Sequence, residues 1–113
     1  MRQFFCGLFL ALISFVAKAD CTVNACSNVY VDRLYLTAAG IVYVGSSGDE
    51  SKLGCTPQDG VYMSLVLADP AGKSMYATLL AAQATNRTVM LRIENNSVGC
   101  RIVYMTLDRE IVE

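Results

Sequence analysis

The chain predicts a small, mainly β domain: five strands rolled into a partly open barrel, with one helix between the third and fourth. Three observations carry this. Short runs rich in Val, Ile, Leu and Tyr recur along residues 29–112, many alternating apolar with polar. Turn-forming groups separate them, among them Ala39-Gly40, Asp69-Pro70-Ala71-Gly72 and Asn95-Asn96-Ser97. A single stretch, residues 73–85, changes to a helical rhythm.

Residues 1–19, MRQFFCGLFLALISFVAKA, stand outside this domain. Arg2 precedes an apolar run over residues 4–17, and Ala17-Lys18-Ala19 closes it with the small-x-small pattern that signal peptidase accepts. We read a secretory signal peptide cleaved after Ala19. The run is shorter than the ~20 residues a spanning helix needs, so no membrane span is expected after cleavage. Residues 20–113 then form a single domain, secreted or periplasmic in a bacterium. Arg2 and Lys18 leave with the leader. Seven of the nine basic residues then face ten acidic ones, a net charge of −3. No Lys/Arg cluster remains to neutralise phosphates, so nucleic acid is not an expected partner.

Cys6 also leaves, and Cys21, Cys26, Cys55 and Cys100 remain. An even count in a small exported domain predicts disulfides. Four cysteines allow three pairings; the favoured one joins Cys21 to Cys26 and Cys55 to Cys100. The first pair sits close together in an irregular polar segment, and the second closes a long loop. The chain has no His and no Cys-x-x-Cys spacing, so no metal site and no cofactor is expected.

The elements follow in order. Residues 20–28, DCTVNACSN, read as a polar, stapled lead-in. VYVDRLYLTA, 29–38, is the first strand, and its alternation slips at Asp32-Arg33, which predicts a bulge. After the Ala39-Gly40 turn, IVYVGS, 41–46, completes a hairpin. Residues 46–60 form the longest irregular region, with three Gly and one Pro. VYMSLVLAD, 61–69, is the third strand. Val61, Met63, Leu65 and Leu67 fall on one side, and Tyr62, Ser64, Val66 and Ala68 on the other. In the helix, Met75, Leu79 and Ala82 form one stripe, and Tyr76, Leu80 and Gln83 the adjoining one. Asn86-Arg87 ends it, since Asn tolerates the left-handed cap position. Residues 88–94 return to a period of two, with Val89, Leu91 and Ile93 inward. Cys100 opens the last strand, residues 101–112.

A lone helix between the third and fourth strands of a five-stranded domain is the order of the OB-fold, a partly open Greek-key barrel. The helix would cover apolar core that the open barrel end exposes. On this order, and on "MYATLLAAQATNRTVMLRI" followed by "GCRIVYMTL", residues 59–107 resemble the B subunits of pertussis- and subtilase-type A–B toxins, along with short exported bacterial proteins of uncharacterised role. The resemblance implies an OB-like fold, assembly into a homo-oligomeric ring and binding of cell-surface glycans. It transfers no sugar-contacting residue to this chain.

Catalysis is not expected. Without His, Ser–His and Cys–His nucleophile systems are excluded, and oxidised cysteines supply no thiolate. Asp49-Glu50 reads as a solvated loop tip. The residues that point to a function are tyrosines, whose flat apolar face and hydroxyl suit stacking on a sugar or anchoring a protein contact. Tyr62 with Ser64 on the third strand is the first candidate ligand surface. Tyr104 with Thr106 on the last strand is the second. The expected function is an exported, non-catalytic binding module for a glycan or a protein surface. The competing expectation is an envelope or structural interaction protein without a ligand pocket.

Overall fold

A computed structural model of the chain describes residues 18–109. The apolar leader run and the apolar pair Ile111-Val112 lie outside the described residues. The structure is mainly β: β1 (Asp20–Cys21), β2 (Ala25–Val29), β3 (Val31–Leu36), β4 (Ile41–Ser46), β5 (Met63–Val66), β6 (Val89–Ile93) and β7 (Ile102–Leu107). One helix, α1 (Gly72–Thr85), lies between β5 and β6, and a 3-10 turn spans Glu50–Lys52.

Two predictions are corrected. Among the described residues there are seven strands, not five, and they form two antiparallel sheets in place of the single sheet rolled into a partly open barrel. One sheet has the order β1-β2-β6-β7 and the other β3-β4-β5. The extra strands come from the amino-terminal end. The segment read as a polar lead-in is a hairpin, in which Cys21 lies opposite Cys26 and both are buried. The predicted first strand is split at Tyr30. Asn28 turns the chain with φ +54°, and Tyr30 exchanges backbone contacts with a loop: its N–H donates to Ser47 Oγ (2.9 Å), and its carbonyl accepts from Ser47 N (3.1 Å). The chain thereby passes from one sheet into the other. The sheets approach again where the third and last predicted strands meet, but only through the single parallel bridge Ser64–Arg101, with Ser64 N donating to Cys100 O (3.0 Å). Gly99 and Cys100 have φ of +89° and +50°. That left-handed turn aims β7 away before a ladder can extend.

Other local readings hold. The β3–β4 hairpin forms as predicted, and its register shifts between Val31 and Arg33, at the expected bulge. The third strand is shorter than its apolar run, because Tyr62 is held by Gln58 in a turn on one side and Leu67 N donates to Gly40 O (2.9 Å) on the other. In α1, Met75, Leu79 and Ala82 are buried while Leu80 and Gln83 are exposed. Asn86 takes the left-handed cap (φ 56°, ψ 47°), and its N–H reaches the carbonyls of Ala82 and Gln83.

The core lies between the sheets and under α1. Val44, Met63, Leu65, Leu79, Leu91 and Ile93 have no exposed surface, each contributing about 1.5–3 kcal/mol of transfer free energy. Gly72 lets the helix start directly on β5, since a Cβ there would lie 2.6 Å from Leu67 O. Disulfides join Cys21 to Cys26 and Cys55 to Cys100. The second ties the long loop to the start of β7. Such bonds belong to an oxidising compartment. No helix among the described residues is long and apolar enough to cross a membrane.

Candidate functional site: a tyrosine face on the three-stranded sheet

The register of β3, β4 and β5 puts Tyr35 opposite Tyr43, Tyr43 opposite Ser64, and Arg33 opposite Gly45. Side chains directly opposite share a sheet face, so one face carries Arg33, Tyr35 and Tyr43, with Tyr62 arriving from just before β5. The three rings form one cluster. Tyr35 meets Tyr43 at 5.7 Å and Tyr62 at 5.8 Å between centroids, both edge to face, and Tyr43 lies 6.3 Å from Tyr62. Offset and T-shaped arrangements suit the ring quadrupole.

Gly45 makes room for this. A Cβ on it would sit 3.3 Å from Tyr62 Cε1, so the Tyr62 ring lies against the strand backbone. Arg33 Nη1 donates to Tyr62 Oη (3.2 Å), fixing the hydroxyl. Tyr35 is 47% exposed, and the other two rings are half-buried. The result is a held aromatic platform, open to solvent, with a guanidinium at one edge. It can stack on a flat apolar group and hydrogen-bond at its rim.

The four residues singled out from the sequence do not form one site. Tyr62 belongs to the platform. Ser64 is buried below it, its hydroxyl donating to Gly99 O (2.8 Å). Tyr104 and Thr106 are exposed on the other sheet, opposite Arg92 and Met90, and the Thr106 hydroxyl donates to Asp108 Oδ1 (3.0 Å). Sequence reasoning missed Arg33, Tyr35 and Tyr43 as site residues. The sequence carried no signal for the tyrosine pair, because a turn at Ala39-Gly40 alone would set Tyr43 opposite Leu36, and the loop 38–40 shifts the register by one to Tyr35.

Several other charged groups hold loops. Glu50 is buried, contrary to its reading as part of a solvated tip, and accepts from Ser46 N (2.9 Å) and the Ser46 hydroxyl (2.6 Å). Asp49 caps the 3-10 turn. The Ser51 hydroxyl and N–H bonded to its carboxylate hold its pKa below the ordinary aspartate value. Asp69 and Arg101 form a two-bonded ion pair, Nη2 to Oδ1 at 2.6 Å and Nε to Oδ2 at 3.1 Å, which raises the arginine pKa. This pair borders a shallow cavity of about 290 Å³ beside the first turn of α1. Among the described residues, no three His, Cys, Asp or Glu side chains group as metal ligands.

Compared with known proteins, the chain matches no family model, no curated protein and no solved structure.

Proposed function

We propose that the protein is an exported, non-catalytic binding module whose ligand surface is the tyrosine face of β3, β4 and β5, and whose ligand is a glycan or a protein surface. The observation that carries this reading is the Tyr35–Tyr43–Tyr62 cluster, preorganised by Gly45 and Arg33 yet open to solvent. Aromatic groups that are already ordered lose little conformational entropy when a partner stacks on them.

Two further observations support an OB-like origin for the sheets. Residues 25–36 run through both sheets as β2 and β3, and α1 falls between β5 and β6. In OB-folds the second and third strands carry the oligosaccharide- or oligonucleotide-binding face. In that order β4 and β5 take those places, and they hold Tyr43 and adjoin Tyr62. The resemblance to toxin B subunits leans the same way. Paired cysteines favour secretion or a periplasmic home. The reading includes no cofactor and no metal.

A glycan array probed with the disulfide-bonded domain tests it. Selective binding is expected, weakened about tenfold by Tyr35→Ala or Tyr62→Ala, the loss of one stacked ring at ~1–1.5 kcal/mol. A blank array at high protein concentration removes the glycan ligand.

A further inference from the structure

We propose that the Cys55–Cys100 disulfide is a redox latch: its reduction by a dithiol frees the 95–99 turn, which otherwise covers the tyrosine face at Ser64. The regulation rests on the reading of that face as the ligand surface; the opening of the latch does not.

The two disulfides differ in access. Cys21 and Cys26 are 2% and 0% exposed, and Cys21 Sγ is packed so closely that a Cβ on Gly48 would lie 2.7 Å from it. Cys100 is equally enclosed. Cys55 is half-buried and lines an open cavity of about 380 Å³ with Leu53, Gly54, Thr56 and Asn96. Thiol–disulfide exchange needs a path for the attacking thiolate, and Cys55 supplies that path. One thiolate of the dithiol attacks Cys55 Sγ, the S–S bond breaks, and Cys100 leaves as a thiolate and takes up a proton. The second thiol of the dithiol then displaces Cys55. Two electrons thereby pass to the protein, and the reductant leaves as its own disulfide.

The bond holds a turn that has little burial of its own. Asn95, Asn96 and Val98 are all exposed. The place of the turn is set by bonds instead: Asn96 N donates to Gly54 O (2.7 Å), Thr56 N to Ser97 O (3.0 Å) and Gly99 N to Thr56 O (2.6 Å). All three join it to Gly54 or Thr56, on either side of Cys55. Cys100 itself has φ +50°, a left-handed conformation that an L side chain keeps only where its surroundings impose it. Ser64 lies under this turn, opposite Tyr43. Its hydroxyl donates to Gly99 O (2.8 Å) and its N–H to Cys100 O (3.0 Å). Release of the turn brings that hydroxyl to the surface beside the tyrosine rings, as a further hydrogen-bonding group for a ligand stacked there.

Titration of the native, disulfide-bonded domain with dithiothreitol, followed by alkylation and mass mapping, tests the latch together with amide exchange. Cys55 and Cys100 should be alkylated about tenfold faster than Cys21 and Cys26. In the reduced domain the Thr56, Ser64 and Gly99 amides should exchange about tenfold faster while those of α1 and β6 stay protected, and reoxidation should restore the first pattern. Cys55→Ser with Cys100→Ser should show the same exchange without reductant; should that variant not fold, the titration and its reversal decide. Equal alkylation of both pairs, unchanged Thr56, Ser64 and Gly99 amides after reduction, or loss of protection throughout the domain would each overturn the latch. On the glycan array the reduced form should bind about fivefold tighter, the worth of one added hydrogen bond. Equal binding by both forms overturns the regulation. A blank array for both overturns the ligand reading and the regulation with it, while the alkylation and exchange results still decide the latch.

Discussion

Ser64 is a polar residue in a mostly apolar strand, and its position explains it. The hydroxyl donates to Gly99 O beside the Ser64–Arg101 bridge between the two sheets, with 7% of the residue exposed. Ser64→Ala leaves that carbonyl unpaired in the interior and should cost about 1–3 kcal/mol, read as a lower urea midpoint at unchanged slope. Alternation alone placed Ser64 on the outer side. That placement is right for the sheet and wrong for exposure, because the 95–100 turn folds back over it. Asp49 behaves in the opposite sense, as an exposed residue with a defined role. Its carboxyl is held below the ordinary value of 3.8 by Ser51 and Lys52. A depressed folded-state pKa stabilises above the unfolded value, and that contribution is lost as pH falls through the lowered one. Asp49→Asn should therefore lose that contribution at neutral pH and converge on the parent once the carboxyl is protonated, below about pH 4, so that thermal melts give a flatter acid limb for the variant.

Among the elements, α1 was the most legible. Its stripe of Met75, Leu79 and Ala82 and its Asn86 cap depend on residues within a turn or two of each other. The β3–β4 hairpin was legible for the same reason, down to its bulge. Strand ends were less so. The apolar run after Gly60 continues past β5 because Tyr62 and Leu67 are used in turns, and a turn accepts apolar residues when their side chains still find cover. The amino-terminal hairpin was missed outright. Its polar composition is that of a loop, and it becomes strand through its neighbour: Ala25 and Cys26 pair with Arg92 and Leu91 of β6. The Cys55–Cys100 bond is the long-range constraint on these elements. It spans 45 residues, for which the chain-entropy model assigns about 4 kcal/mol. Replacing both cysteines by serine should lower the unfolding free energy by about 2–5 kcal/mol, measurable by urea titration. Fast amide exchange would then appear first in the 95–99 turn, which Thr56 otherwise holds through Ser97 O (3.0 Å) and Gly99 N (2.6 Å).

At the scale of the molecule, the two sheets separate two tyrosine surfaces that the sequence treats alike. Tyr62 sits with Tyr35 and Tyr43 on one sheet, while Tyr104 stands on the other, 50% exposed. If the tyrosine face holds the ligand, Tyr104→Ala should leave glycan binding within twofold of the parent in the array that Tyr35→Ala and Tyr62→Ala impair. Equal losses at Tyr62 and Tyr104 would instead assign binding to neither sheet alone.

By itself the sequence determined a mainly β chain, the single helix with its cap, the β3–β4 hairpin, and a set of cysteines poised to pair. Periodicity, turn chemistry and capping act over a few residues, so each can be read along the chain. Only the tertiary structure decided which cysteines join, how many strands form, that the sheets stay open, and that Tyr62 completes an aromatic cluster while Ser64 is covered. Those outcomes rest on contacts between segments far apart in sequence, whose energies are set by burial and register and not by any local pattern.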